Sequence, residues 1–76
     1  MKYFRTPSAA TVESLQARFA PGTRVRILQM DDVLAPRRGS LGTVIAVDSL
    51  GTIHVSWDCG SSLGVAYGVD SCEVVR

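Results

Sequence analysis

The heptapeptide TIHVSWD, residues 52–58, has the clearest strand pattern in the sequence. Its apolar side chains, Ile53, Val55 and Trp57, alternate with polar ones, and a period of two places the apolar set on one face of a β-strand. Trp57 shares that face, so we expect it in the core rather than on a ligand platform. His54 lies on the opposite face, where solvation explains it more simply than a functional role.

Four further strands are expected around this one. Nine of the ten valines and all three isoleucines follow Gly22, and β-branched residues favour strands. Residues 23–28 alternate in the same way, whereas the run GTVIAV at 42–47 is too uniformly apolar for its inward face to be identified. Turn residues occupy 48–51 and 58–61. The predicted strands are residues 23–28, 42–47, 52–58, 63–66 and 72–75.

The segment SAATVESLQARF, residues 8–19, has a helical character instead. Its apolar side chains recur at helical spacing and form one stripe. Either Thr6 or Ser8 can cap a helix that ends near Phe19. A helix this short is marginal alone, so its stripe must pack on the strands. The stripe consists of Val12, Leu15 and Phe19.

Five short strands with tight turns and a long first loop predict a mainly β fold, a small five-stranded SH3-like barrel with one N-terminal α-helix. Closing such a sheet removes most of the edges that short strands otherwise expose. We assign residues 1–20 to the helix and its N-terminal arm and residues 21–76 to the barrel. A chain of 76 residues has room for a single domain.

The composition is that of a small globular protein and argues against an enzyme. Of the 76 residues, 46% are apolar and 20% are charged, and so small a core leaves little material for a catalytic cleft. No apolar run approaches the roughly 20 residues that cross a bilayer. Charges also interrupt the N-terminal stretch before it resembles a secretory signal. We therefore expect a cytoplasmic, non-enzymatic protein.

The net charge of +1 hides an uneven distribution. Up to residue 38 the sequence has seven basic and three acidic side chains, and beyond it one basic and four acidic ones. The two parts are thus formally +4 and −3, which predicts an electrically polar molecule. Such a surface suits a partner that carries both charge signs.

Several short motifs occur in order from residue 21 onward: PGTRV, MDD, GTV, WDCGSSLG and GVDS. In this order they resemble a bacterial and phage family of unknown function, DUF4314. The GTV and VSWDCGS strings are also distantly similar to Mib/Herc domains, which are SH3-like and bind peptides. The resemblance implies an SH3-like fold and a mobile-element setting, but no activity. Cys59 stands where the first family usually has an asparagine.

The loop at residues 29–41 supplies most of the candidate binding residues. An extended, charged loop on so small a domain is often functional. One interpretation is a recognition edge for a protein or peptide, with arginine contacts to carboxylate or phosphate. The other is structural: an aspartate caps the loop and pairs with an arginine, while Leu34 folds onto the core. The predicted partner-binding residues are Met30, Asp31, Asp32, Leu34, Arg37, Arg38 and Tyr67.

Tyr67 lies outside that loop, in the irregular segment before the last strand. In SH3-like barrels this segment borders a groove made with the first loop, and an aromatic side chain there offers a large contact area. Packing within the turn explains Tyr67 equally well. We expect partner capture between the long loop, the 48–51 turn and residues 67–70.

A nucleic acid is the alternative partner. Arg24 and Arg26, on the outward face of the first strand, can join Arg37 and Arg38 in a patch for backbone phosphates. No aromatic side chain is clearly interleaved with them for base stacking. Solvated strand-face arginines are the simpler explanation, so protein or peptide binding ranks first.

No arrangement for catalysis or metal binding stands out in the sequence. Cys59 and Cys72 are too few for a paired zinc motif, and His54 has no ligand at useful spacing. In a reducing compartment we expect free thiols. Catalytic triads, paired carboxylates and phosphate-binding glycine loops are not recognisable either. We therefore expect no metal, no cofactor and no membrane partner, and a monomer or weak homodimer.

Overall fold

The computed structural model describes residues 7–76. Within that range it contains one helix, α1 (Ala9–Arg18), and four strands, β1 (Arg24–Gln29), β2 (Leu41–Val47), β3 (Ile53–Trp57) and β4 (Ser71–Val74). The strands form one open antiparallel sheet in the order β3-β2-β1-β4. The prediction of a mainly β chain with an N-terminal helix is confirmed. Each of these strands begins and ends within one residue of its predicted bounds.

The predicted fifth strand forms only one bridge, between Val65 and Ile53, with two backbone hydrogen bonds of 2.9 Å. Side chains bind the backbone groups on either side of this bridge. The indole N–H of Trp57 donates to the carbonyl of Leu63 at 2.8 Å, and the amide of Ala66 donates to a carboxylate at 3.0 Å. These contacts hold the segment beside β3, and Val65 is the one residue of 63–66 that pairs with that strand. The described sheet therefore has four strands rather than five.

The helix begins where local capping predicts. The hydroxyl of Ser8 accepts a hydrogen bond from the amide of Thr11 at 3.1 Å and caps α1. The alternative cap, Thr6, lies outside the described residues. After Phe19 the chain turns through Gly22, whose φ of +92° favours glycine.

The predicted apolar stripe of α1 faces the chain's own sheet. Val12 and Phe19 are buried, and Leu15 packs against the same core. The side-chain amide of Gln16 donates to the carbonyl of Val47, at the end of β2, at 3.2 Å. Burial and one long-range hydrogen bond therefore hold a helix that is too short to be stable alone.

The core is centred on β3. Ile53, Val55 and Trp57 are at most 4% exposed, whereas the side chains between them are exposed. Trp57 is a core residue, as predicted. Its indole N–H is satisfied by the carbonyl of Leu63, so burial leaves no polar atom of the ring without a partner.

The inward face of β2 depends on a bulge. Val44 pairs with Val55 and Val47 pairs with Ile53, but the register shifts between them at Ile45. Val44 and Val47 are consequently both buried although they are three residues apart, and Ile45 points outward with 58% exposure. A strict period of two does not describe this strand, which is why its buried face was not predictable.

Candidate functional site

The outward arginines of β1 are neutralised by acids from later in the chain. Arg24 donates two hydrogen bonds to Asp58, of 2.9 and 2.6 Å, and one to Thr43 of 2.9 Å. Arg26 contacts Glu73 at 3.2 Å. The hydrogen bond from Arg24 lowers the pKa of the Asp58 carboxyl from its ordinary value. Both arginines are thus less available to phosphate groups than their position on the strand suggested.

These pairs change the expected charge distribution. Because β1 lies between β2 and β4 in the sheet, its basic side chains meet the acidic second half of the sequence on one surface. Counting charges along the chain misses such cross-strand pairs. Two arginines of the loop between β1 and β2, here called the long loop (residues 30–40), stay outside this pairing.

The long loop consists of two hydrogen-bonded turns. In the first, the amide of Ala35 donates to the carbonyl of Asp32 at 3.1 Å, and the Asp32 carboxylate accepts from the amide of Leu34 at 2.8 Å. In the second, the amide of Ser40 donates to the carbonyl of Arg37 at 2.9 Å. Turn geometry therefore orders both parts of the loop.

The two turns present different side chains to solvent. The first, the apolar turn, carries Val33 and Leu34, which are 100% and 74% exposed. The second, the basic turn, carries Arg37 and Arg38, which are exposed and form no ion pair within residues 7–76. The structural interpretation of the loop is therefore correct only in part. Asp32 does cap a turn, but it pairs with neither arginine and Leu34 does not fold onto the core.

Asp70, which the sequence analysis did not single out, anchors the long loop. Asp70 is only 7% exposed, and its two carboxylate oxygens accept hydrogen bonds from the backbone amides of Asp31 and Ala66, each 3.0 Å long. These contacts fix the first residues of the loop beside the segment that leads into β4. The available signal was its position in the GVDS motif, immediately before a strand, where an acidic side chain can bind exposed backbone amides.

A groove of about 400 Å³ lies at the base of the long loop. Met30 lines it from the arm of the loop that precedes the apolar turn, Pro36 lines it from the arm that follows this turn, and Arg38 also lines it. Two of the predicted binding residues, Met30 and Arg38, are thus brought together. We call this groove the loop groove; it is lined by Ile27, Leu28, Gln29, Met30, Pro36 and Arg38.

Tyr67, 43% exposed, lines a different groove of about 210 Å³, together with the helix residues Leu15, Arg18 and Phe19. Gly51, from the 48–51 turn, is close by: a side-chain carbon there would lie 3.3 Å from Cβ of Tyr67 and 3.5 Å from Leu15. The helix therefore lies against the region where we expected the partner. The structure divides the predicted site, with the long loop at one groove and Tyr67 at the other.

His54 and Asp48 form a pair at the turn between β2 and β3. Nε2 of His54 lies 2.8 Å from one carboxylate oxygen of Asp48, and the other oxygen accepts from the amides of Leu50 and Thr52 at 2.9 and 3.0 Å. The hydrogen bond with His54 is the main reason that the pKa of Asp48 is lowered. These contacts close the turn, which favours a structural role for His54.

The two cysteines are free thiols in different environments. Cys59 is exposed, whereas Cys72 is half-buried, and burial raises the pKa of its thiol to about 11. Among residues 7–76, no three histidine, cysteine or acidic side chains are grouped so that they could hold a metal ion. The same part of the chain has no helix long and apolar enough to cross a membrane.

Comparison with known families identifies the chain. Residues 8–75 match the family described as domain of unknown function (DUF4314). No curated protein and no solved structure matches the sequence. Because the match covers nearly all of the 76 residues, the chain belongs to the DUF4314 family, as its motifs indicated.

Proposed function

We propose that this member of the DUF4314 family is a non-enzymatic interaction module that binds a protein or peptide through its long loop. The observation that carries the proposal is the apolar turn. Val33 and Leu34 project from it into solvent, although ten apolar side chains of the described chain are buried in the core. Apolar side chains displayed in this way add nothing to core packing but supply contact area to a partner.

The order of the loop supports the same proposal. Hydrogen bonds within both turns and the contact between Asp31 and Asp70 limit the conformations that the loop can adopt. A loop that is ordered before binding loses less conformational entropy when a partner docks. The long loop therefore has the character of a preformed recognition surface.

We further propose that the four strands and the Val65 bridge form a partly open SH3-like barrel. The strand order and the position of Val65 beside the free edge of β3 support this arrangement. In such a barrel the loop between β1 and β2 borders the ligand-binding face, in line with the role assigned to the long loop. The cytoplasmic location and the phage or mobile-element setting remain predictions.

Nucleic-acid binding is the weaker alternative. Of its four predicted arginines, Arg24 and Arg26 are paired with acids, which leaves Arg37 and Arg38. Two free arginines neutralise few phosphates and predict weak binding with a shallow salt dependence. The exposed Val33 and Leu34 have no part in such a contact, whereas a protein partner uses both turns.

Affinity capture from a lysate of the native host tests the proposal. The bait is the chain itself, compared with a Val33→Ser/Leu34→Ser variant and with Ile45→Ser, a matched control that removes an exposed apolar side chain from β2. We expect at least one protein to be captured by the wild type and the control, and lost by the loop variant. Quantitative mass spectrometry of the captured proteins gives the measurement.

Two results would contradict the proposal. One is a set of captured proteins that the loop variant retains in full. The other is tight, steeply salt-dependent binding of single-stranded or duplex oligonucleotides, which would favour the alternative. Circular dichroism of each bait establishes that the variants are folded, so that a loss of capture reports on the loop.

A further inference from the structure

We propose that the loop groove receives an acidic side chain from an internal segment of the partner, and that Arg38 pairs with its carboxylate. This inference rests on the proposed function of the long loop and names the chemistry of the partner. Three features of the groove carry it: an arginine without an acidic partner, aliphatic side chains on both arms of the loop, and a second arginine beside the first.

The first feature is the state of Arg38. The guanidinium groups of Arg24 and Arg26 are already paired with carboxylates across the sheet. Arg38 is exposed, lines the loop groove and forms no ion pair within residues 7–76. A planar guanidinium donates two parallel hydrogen bonds to a carboxylate, as Arg24 does to Asp58 in the same molecule. Arg38 is thus free to make with a partner the contact that Arg24 makes internally.

The second feature is the aliphatic lining. Leu28, Met30 and Pro36 line the groove and are all half-buried. The methylene groups of an aspartate or glutamate can pack against these side chains while the carboxylate reaches Arg38. Because Met30 and Pro36 belong to opposite arms of the loop, a continuous peptide segment that crosses the groove contacts both arms. A chain terminus would end between them, and a phosphate has no apolar part to pack there.

The third feature is the surrounding charge. Arg37 adds a second exposed positive charge next to Arg38, so a lysine or arginine of the partner is repelled from the groove. On the neighbouring turn, Leu34 offers apolar contact. The expected recognition motif is therefore an acidic residue with an apolar residue close by in the same segment.

Selection from two random-peptide libraries tests this inference. In one library the random segment is internal, and in the other it ends in a free carboxylate. The chain is compared with Arg38→Gln and with Arg76→Gln, a matched control that removes the same charge outside the loop. We expect the internal library to yield peptides with an acidic residue near an apolar one. Synthetic, end-capped versions should bind Arg38→Gln about tenfold more weakly and bind Arg76→Gln with unchanged affinity.

Four outcomes would overturn the inference: no selection from either library, selection from the free-carboxylate library alone, selected peptides without acidic residues, or acidic peptides that bind Arg38→Gln normally. A single-stranded oligonucleotide whose binding requires Arg38, in place of any peptide, would point to phosphate instead. The Val33→Ser/Leu34→Ser variant distinguishes a failure of this inference from a failure of the proposed function. If a selected peptide no longer binds that variant but still binds Arg38→Gln, only the carboxylate contact is contradicted. If it still binds both variants, the proposed function is contradicted as well.

Discussion

In β3 every second side chain is apolar and buried, whereas in the long loop two neighbouring apolar side chains project into solvent from a hydrogen-bonded turn. Ile53, Val55 and Trp57 are at most 4% exposed, while Val33 and Leu34 are 100% and 74% exposed. Burial of apolar surface accounts for the first arrangement, because it stabilises the folded chain. The second contributes nothing of that kind, and under our proposal it supplies contact area to a partner.

Both regions are nevertheless held by a hydrogen bond between a side chain and the backbone of another segment. Trp57 binds the carbonyl of Leu63, and Asp70 binds the amide of Asp31. In β3 this bond completes a buried core, whereas at the long loop it positions an exposed surface. The same kind of hydrogen bond therefore contributes to stability in one region and, under our proposal, to recognition in the other.

Truncation of Trp57 should have the greatest effect on the free energy of unfolding. Trp57→Ala removes a buried indole and leaves the carbonyl of Leu63 without its donor, and such changes cost about 3–5 kcal/mol. Trp57→Phe should be milder, since it keeps most of the apolar ring. Urea unfolding, monitored by circular dichroism, measures the difference in the free energy of unfolding between each variant and the wild type.

The matched change in the other region is Leu34→Ala. Because this side chain is largely exposed, its loss should alter the free energy of unfolding by no more than about 0.5 kcal/mol. If Leu34→Ala destabilised the chain as strongly as Trp57→Phe, the long loop would be a structural element and its contrast with β3 would disappear.

Asp70→Ala should have an intermediate effect. It leaves the amides of Asp31 and Ala66 without their buried acceptor, which costs about 1–3 kcal/mol. Hydrogen exchange at these two amides should accelerate more than exchange at the amides of β3. Asp31→Ala, which removes an exposed carboxylate from the loop while keeping its backbone amide, is the control. Unchanged protection of the Asp31 amide in Asp70→Ala would show that Asp70 does not anchor the loop.

The pair of Asp48 and His54 at the turn between β2 and β3 predicts a smaller effect on the free energy of unfolding, seen at acid pH. The hydrogen bond with His54, and then those from Thr52 and Leu50, lower the pKa of Asp48 from its ordinary value of 3.8. A carboxyl whose pKa is lower in the folded chain contributes stability that is present above the unfolded value and is lost as the pH falls through the folded value. Stability should therefore decline below about pH 4, and solvent screening keeps the contribution small.

Asp48→Asn tests this dependence. The variant should be less stable than the wild type at neutral pH and should lose less stability on acidification, as measured by urea midpoints from pH 6 down to pH 2. Glu13→Gln, an exposed substitution on α1, serves as the control. An Asp48→Asn variant with the same acid profile as the wild type would show that the turn pair does not contribute to folding.

The regular elements were largely predictable because each depends on local pattern. Alternation along β3, capping by Ser8 and the stripe through Val12 and Leu15 are properties of neighbouring residues, and the structure confirms them. The bulge at Ile45 was not predictable, since its cause is the pairing of β2 with β3. The fifth strand was not confirmed either: residues 63–66 pair with β3 only at Val65, whereas Leu63 and Ala66 bind the side chains of Trp57 and Asp70.

The candidate site was predictable only as a region. The sequence indicated the long loop from its length and charge, and it indicated Met30, Leu34, Arg37 and Arg38 as candidate binding residues. It did not indicate that Arg24 and Arg26 are paired, that Tyr67 lines a separate groove, or that Asp70 holds the loop in place. The two arginine pairs and the Asp70 anchor depend on contacts between residues more than 30 positions apart, and Tyr67 shares its groove with residues of the distant N-terminal helix.

Local sequence thus determined which segments are helical or extended, where the turns fall and which face of β3 is buried, because these follow from the periodicity and backbone preferences of adjacent residues. The tertiary structure alone decided which charges are neutralised and which remain available. Arg24 and Arg26 pair with Asp58 and Glu73 across the sheet, whereas Arg37 and Arg38, on the long loop, form no ion pair within residues 7–76. Side chains interact through space, and the order of strands in the sheet sets their distances.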